Sequence, residues 1–498
     1  MKIRLGHDFF EAKTGKRAPV ELDTTKLING HLILMGASGT GKSYTIRRMV
    51  NQASTSKVKF YIFDVHGDLD IPGASVVQFS EQAPFGLNPL RVNPDPDFGG
   101  VRKCIQSFIR TINQASTTAL GLKQESVLRN LLQDVFRDFG FDPENANTWG
   151  VNSLESNLVS GGSDNRLYLT VTIQDKDKVK ALGARWDPDK KLWWVHTDKY
   201  VGMITQWAPA FKGRAYPTLK DVLNYARRIH VERFMGSDQK SVRELIAFNK
   251  VARTFNRKLL DSVKKRHIDG VEHLGLDPED EEKLEAARVK VVESYTDYVY
   301  AIRTGNELNT LIKYDSPDVL KSVVDRLSNL NATGIYKDTM PPFDPSVDVW
   351  RYKLNALSAE EKKMFVLFTL QDIFLRAVQR GEQSDVTEVI VLDELSTYTS
   401  TQDEKGDGII GIISREARKY GLALWAANQS PSGIPESLIS SVATKIVLGI
   451  DEMYWISAAS KLRIEQKQLA WIQTQKTLAV QMKERGATKN RWWWVQLD

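Results

Sequence analysis

"HLILMGASGTGKSYTIRRMV", residues 31–50, decides the fold. Residues 31–35 form a short continuous apolar run, the composition of a strand buried on both faces of a parallel sheet. The next eight residues, "GASGTGKS", fit the spacing G-x-x-x-x-G-K-[ST]. Gly36, Gly39 and Gly41 let the backbone turn tightly, so that successive N–H groups face a phosphate chain at the positive end of a helix. Lys42 is placed to reach the terminal phosphates and the Ser43 hydroxyl to help hold magnesium. The nucleotide-binding candidates are therefore Gly36, Ala37, Ser38, Gly39, Thr40, Gly41, Lys42, Ser43 and Tyr44. Ile46, Met49 and Val50 then give one apolar face at helical spacing.

Hydrolysis requires acids across the phosphates from such a loop. "EVIVLDELS", residues 388–396, carries four apolar residues, Val389 to Leu392, into Asp393 and Glu394. Asp393 is placed to orient a magnesium shell and Glu394 to polarise an attacking water as general base. Without a phosphate loop upstream, the same residues would read as an ordinary strand ending in a solvated acidic pair. A further apolar run, "GLALWAANQS" (421–430), ends in Asn428 and Gln429, and Gln429 is a candidate sensor of the terminal phosphate. With "KFYIFDV" (59–65) and "ATKIVLGI" (443–450), five short buried-type strands alternate with helical stretches. This predicts an α/β fold with a mainly parallel sheet and its ligand at the strand C-termini. On "IISREARKYG" (412–421), Arg415, Arg418 and Lys419 read either as a solvated basic helix face or as a source of an arginine finger.

Taken together and in order, "GASGTGKS", "YIFDVHGDL", "FGLNPL", "VIVLDE", "ARKYGLALWAANQSP" and "IPESLISSVATKIVLG" resemble the HerA and FtsK group of hexameric motor ATPases. The resemblance spans about residues 1–140 and 345–498. It implies a RecA-like P-loop core, a homo-hexameric ring, ATP and Mg2+ as cofactors, and ATP-driven movement of DNA, duplex DNA foremost. It makes Lys42 and Ser43 the Walker A pair, Asp393 and Glu394 the Walker B pair, Gln429 the polar sensor and Arg418 a finger acting in trans. Asp64 and His66 match a "DxHGE"-like turn whose role stays open. In HerA-like systems the cutting activity resides on another polypeptide, so a separate effector such as a nuclease is an expected partner. Two features depart from the pattern: only about 30 residues precede the phosphate loop, too few for a full N-terminal β-barrel, and the sensor strand reads "ANQSP".

Composition restricts the remaining choices. Lys and Arg number 68 against 62 Asp and Glu, so the net charge of +6 permits a polyanion partner without demanding one. One cysteine, Cys104, excludes an internal disulfide and a Cys-rich zinc site, and reads as a small buried hydrophobe. No apolar run approaches the roughly 20 residues of a membrane helix, and the start lacks a signal-peptide pattern, so a cytoplasmic protein without membrane contact is expected.

The interval between residues 65 and 388 is too long for one crossover and predicts inserted domains. Two amphipathic helices, "VRKCIQSFIRTI" and "ESVLRNLLQDVFRDFG", are expected to pack on the core. A flexible linker is expected at 151–166. The segment 167–198 follows, predicted as a small α+β module with strands "LYLTVTI" and "KLWWVHT" around a short helix stopped by Gly183. It resembles a module of unassigned activity that recurs in plasmid and primase-associated proteins. Its lysines with Trp186, Trp193 and Trp194 read as a single-strand nucleic-acid grip, or the tryptophans as the core of a tiny domain, the cheaper reading. A helical insertion is predicted over 214–345, with Leu284, Ala287, Val291, Tyr295, Tyr298 and Ile302 in one stripe. The predicted organisation is thus a first core part at 1–145, the module at 167–198, the helical insertion at 214–345 and a second core part at 346–498. "SAEEKKMFVLF" opens a buried helix with a capping box from Ser358 to Glu361, and residues 476–498 read as a hairpin with Trp492, Trp493 and Trp494. The polar segment 397–408 is a candidate pore loop.

Three functions fit: a DNA translocase serving an effector, a type IV secretion or conjugation ATPase, and a nucleotide-controlled ring scaffold, for instance in antiviral defence.

Overall fold

Residues Leu32–Met35 form a strand, all four are buried, and parallel partners flank them on both sides. The structure is a computed structural model and describes all residues except 55–56, 117, 152–165, 173–174, 189–190, 197–198, 201, 208–214, 232–239, 269–277, 303–312, 400–407, 489 and 498. All but the two end residues of the linker expected at 151–166, and residues 400–407 of the pore segment expected at 397–408, lie outside the described residues.

In chain order the strands are β1 (Lys2–Asp8), β2 (Pro19–Asp23), β3 (Leu32–Met35), β4 (Lys59–Asp64), β5 (Ser75–Gln78), β6 (Arg166–Leu169), β7 (Arg185–Asp187), β8 (Leu192–His196), β9 (Val349–Lys353), β10 (Glu388–Leu392), β11 (Leu422–Asn428), β12 (Thr444–Val447), β13 (Thr477–Met482) and β14 (Arg491–Gln496). The chain divides into two compact units, one of Met1–Ala119, Phe136–Leu219 and Asn331–Asp498, the other of Leu120–Val135 and Lys220–Leu330.

The large sheet of the first unit runs β2-β1-β14-β13-β12-β3-β11-β10-β4-β9-β5. From β12 to β5 every neighbouring pair is parallel. At the other edge β13, β14, β1 and β2 continue it in antiparallel pairs. The parallel block holds two more strands than the five expected, because β5 and β9 do not read as apolar runs. β5 is a four-residue edge strand that exposes Val76, and β9 carries Arg351 in its middle. The strand pair at the C-terminus is the hairpin expected there; Trp494 is buried and Trp493 packs against the main core.

Ile46, Met49 and Val50, from the helix Lys42–Ala53, join residues of β3, β4, β10, β11 and β12 in the main core. Helix Ala359–Arg380 begins with the capping box read from sequence. The Ser358 N–H donates to Glu361 Oε2 at 2.8 Å, and the Glu361 N–H donates to Ser358 Oγ at 3.4 Å. Its residues Met364 to Leu370 are all buried, as an apolar helix held against a sheet must be.

The small module has its own three-stranded antiparallel sheet, β6-β8-β7, and its own core around Leu167, Leu169, Val179 and Val195. The strand expected over 167–173 is shorter, β7 was not foreseen, and Ile204 and Trp207 extend the core past residue 198. Trp194 and Trp207 are buried, whereas Trp186 is 49% exposed, so the tryptophans are only in part a core. In the second unit, helices Lys240–Ile268 and Pro278–Ala301 pack together. Phe248, near the start of one, meets Tyr295 and Tyr298, near the end of the other, so the pair is antiparallel. Leu284, Ala287 and Tyr298 of the expected stripe are buried, but Tyr295 is exposed. Helix Val101–Ala115 packs on Ala359–Arg380 as expected, whereas residues 120–135, read as part of the core, group with the helical unit.

Ser358→Ala should lower the unfolding free energy by about 1 kcal/mol with no change in urea m-value, while Ser358→Asp should hold it. Equilibrium urea unfolding of the two variants checks this.

Candidate functional site

The phosphate loop is built by backbone geometry that few side chains tolerate. Gly39 and Gly41 have φ of 77° and 97°, in the region where a Cβ is costly. A Cβ on Gly36 would stand 2.4 Å from Thr40 Oγ1. The loop is pinned at its root, where the Gly36 N–H donates to Asn428 O at 3.1 Å and the Ala37 N–H to Gly449 O at 2.8 Å. Lys42 Nζ donates to Gly36 O at 2.9 Å and Gln475 Nε2 to Gly39 O at 3.0 Å. Among the described residues, the N–H groups of Ser38, Gly39, Gly41, Lys42 and Ser43 have no protein acceptor. Five free donors at a helix N-terminus make a nest for an anion. Tyr44, the last of the nucleotide candidates, is 58% exposed beside it.

The other candidates reach the same edge because the strands run parallel. Met35 pairs with Asn428 and Leu392 with Ala426 and Phe63, so the loops after β3, β11, β10 and β4 emerge side by side. Glu394 has φ 52°, a left-handed conformation that non-glycine residues seldom adopt, and Gln429 Nε2 donates to its Oε1 at 2.9 Å. Asn428 lies underneath, 3% exposed, and its Oδ1 accepts from the Ser396 N–H at 3.1 Å. Across the gap, Ser43 Oγ donates to Asp68 Oδ2 at 2.8 Å, and His66 Nε2 stands 3.9 Å from Asp393 Oδ2.

Electrostatics mark Asp393 as the unusual group. Burial raises its pKa from 3.8 to about 6; Glu394 and Asp68 push the same way, against His66 and Lys42. Ser43, Asp393 and Asp68 present hard oxygen donors of the kind Mg2+ takes. No group of three or more His, Cys, Asp or Glu among the described residues is arranged to hold a metal unaided. That donor set fits Mg2+, which keeps waters and shares substrate phosphates rather than sitting in an all-protein cage.

The family described as "Helicase HerA, central domain" matches residues 7–96, and a "Domain of unknown function (DUF5710)" matches residues 166–209. The DNA double-strand break repair helicase HerA of Pyrococcus furiosus is 38% identical over 64 residues, 12% of each chain. Residues 7–96, which include the phosphate loop, are thus similar to the central domain of HerA helicases. The structure of VirB4 of Thermoanaerobacter pseudethanolicus aligns with a TM-score of 0.55 at 12% identity, covering 100% of this chain and 96% of that one. That likeness concerns the fold, which is the RecA-like P-loop fold expected from sequence. The DNA primase TraC of Escherichia coli is 44% identical over 43 residues, 9% of this chain. The chain spans only 12% of the length of the Pyrococcus relative and 4% of the primase.

Arg418 is the candidate that the chain does not bring to the phosphate loop. It is exposed just before β11, whose far end carries Gln429, and seven strand residues separate the two by about 23 Å. There it lines a cavity of about 550 Å³ with Arg415, Lys419, Arg485, Glu382 and Asp385. Within one chain Arg418 is out of reach of a nucleotide on Lys42.

Sequence reasoning missed Asp68, Gln475 and Arg351. Arg351 of β9 is 5% exposed; its Nε donates to the fully buried Asp64 at 2.8 Å, its Nη1 to Asp70 at 3.0 Å and its Nη2 to Gly67 O at 3.0 Å. Asp64 Oδ1 accepts from the Gly67 N–H at 2.7 Å. The strand-end acid, whose role the motif left open, therefore holds the turn that carries His66 and Asp68. An arginine amid otherwise strand-like residues, "VWRYK", was the available signal. Cys104 is half-buried, its thiol pushed up to about 12 by burial, which fits the structural reading. Among the described residues no helix is long and apolar enough to cross a membrane.

Asp393 has a folded pKa above its unfolded one, so its contribution to stability is present below about pH 4 and lost as pH rises through about 6. Asp393→Asn should therefore stabilise the metal-free protein at pH 7.5 by up to about 3 kcal/mol, with the gain vanishing near pH 4. Thermal melts across that pH range in chelator check both sign and window.

Proposed function

We propose that the chain hydrolyses ATP as one subunit of a cytoplasmic hexameric ring that translocates duplex DNA for a separate effector such as a nuclease. The observation that carries this reading is the convergence of the donor nest after β3 with the Glu394–Gln429 pair, joined at 2.9 Å, on one edge of the sheet. The N–H groups of Ser38, Gly39, Gly41, Lys42 and Ser43 and the Lys42 ammonium bind and orient the phosphates. Ser43 and Asp393, with Asp68 beside Ser43, would hold Mg2+, which when bound neutralises phosphate charge. Glu394 takes the proton of the attacking water, and Gln429 keeps the carboxylate turned toward it. Arg418, at the opposite edge, serves a neighbouring subunit's nucleotide in trans.

The HerA family match over residues 7–96 and the 38% identity to a repair helicase favour DNA as cargo. A type IV secretion or conjugation ATPase is the second reading, since the fold likeness to VirB4 runs over the whole chain. A ring scaffold with hydrolysis as a timer is the third. Linear duplex DNA should raise ATP turnover severalfold or more under the first reading and leave it unchanged under the other two.

Glu394→Gln should lower turnover about 100- to 10,000-fold while a fluorescent ATP analogue still binds, and Lys42→Ala should lose both binding and turnover. Rings mixed from Arg418→Ala and Glu394→Gln subunits should recover part of the activity each lacks alone. Undiminished turnover in Arg418→Ala rings would remove that residue from the mechanism.

A further inference from the structure

We propose that the outer face of helix Lys240–Ile268 is a binding surface for the phosphate backbone of nucleic acid. This surface lies in the helical insertion and stands independently of the nucleotide site. The helix carries nine Lys and Arg against two acids. Its residues sort into two faces at about 100° per residue. Ser241, Leu245, Phe248, Phe255 and Ser262 are buried or half-buried and lie within about 100° of one another, and Phe248 packs on Tyr295 and Tyr298 of the antiparallel partner. Arg243, Lys250, Arg253 and Arg257 are all exposed and lie within about 80° on the opposite side.

A line of cations is usually neutralised within its own fold, and three of these four are not. Lys250, Arg253 and Arg257 have no ion-pair partner among the described residues. The adjoining helix Pro278–Ala301 carries seven acids, but Glu279 pairs with Lys283 at 2.8 Å and Glu285 with Arg288 at 2.7 Å within that helix. The contact between the two helices includes Phe248 against Tyr295 and Tyr298, and the row of cations lies on the opposite side of the helix. From Arg243 to Arg257 the row is about 21 Å long, and a duplex carries about 12 phosphates over that length. Arginine supplies three of the four cations, and its planar fork matches phosphate oxygens. A membrane-surface helix needs a continuous apolar face toward lipid. Here the partner helix covers the apolar face around Phe248, and the exposed apolar residues, Ile246, Leu259, Leu260 and Val263, are split between the two faces and form no continuous stripe. A phosphate backbone is therefore the better fit.

The test uses the intact protein without nucleotide, so its outcome is separable from the fate of the ATPase reading. Binding of a 30-base-pair duplex is followed by fluorescence anisotropy from 0.05 to 0.3 M NaCl. The triple variant Lys250→Gln, Arg253→Gln, Arg257→Gln should bind at least about 10-fold more weakly at 0.1 M, with the log–log salt slope shallower by about 2 to 3. DNA-independent ATP turnover should not change. A control triple of exposed cations in the first unit, Lys16→Gln, Arg17→Gln, Lys57→Gln, should leave the affinity within about threefold. An unchanged salt slope in the test triple, or an equal loss in the control, overturns the proposal. So does loss of flotation with phosphatidylserine vesicles while duplex binding is kept, which would make this a lipid surface instead.

Discussion

The constraint on which the site depends is the order β3-β11-β10-β4 in one parallel register. Neighbouring strands lie about 4.8 Å apart, so inserting β11 between β3 and β10 separates the phosphate loop from the acids by about 10 Å. That gap is too wide for Lys42 to neutralise Asp393 by contact, and Asp393 is accordingly raised rather than lowered in pKa. It is wide enough for phosphates and a water. The strand filling the gap ends in Asn428 and Gln429, and these two residues brace both sides: the Asn428 carbonyl receives the root of the phosphate loop, and Gln429 holds Glu394.

A second constraint is the buried pair Asp64–Arg351. Burying two charges costs several kcal/mol per ion unless hydrogen bonds satisfy them. Here the guanidinium reaches Asp64, Asp70 and the Gly67 carbonyl, and Asp64 also accepts from the Gly67 N–H. The pair is thus better understood as a device of shape than of stability. It fixes the turn after β4 from a strand almost 290 residues away, and with it the placement of Asp68 against Ser43 and His66 beside Asp393.

What could be read from sequence follows from this physics. β3, β4, β10, β11 and β12 are buried on both faces and each lies in a mainly apolar run, so their composition reveals them. β1 and β2 alternate over only a few residues, β5 buries one residue in four, and β9 has an arginine at its centre; none is a continuous apolar run. The phosphate loop, the acidic pair and Gln429 announce themselves because their chemistry fixes both residue type and spacing. Asp68, Gln475 and Arg351 gain their roles only through tertiary approach, so no spacing rule marks them. The large interruption between β5 and β9 hides them further. It is tolerated because loop-closure entropy grows only logarithmically: about 270 residues cost roughly 2.6 kcal/mol more to close than about 15.

The polarity of the sheet has a last consequence. All seven parallel strands point their C-terminal ends at the phosphate loop, so every residue placed before a strand is kept from it by the strand's own length. Arg418 stands before β11 and His31 before β3. His31 is fully buried, its Nδ1 accepting from the Leu424 N–H, and burial together with the nearby Arg418 charge lowers its pKa to about 4. The proposed role of Arg418 thus requires a second copy that presents its strand C-termini to this edge. The same polarity that assembles the nest, the acids and Gln429 in one chain makes an arginine from the opposite edge available only between chains.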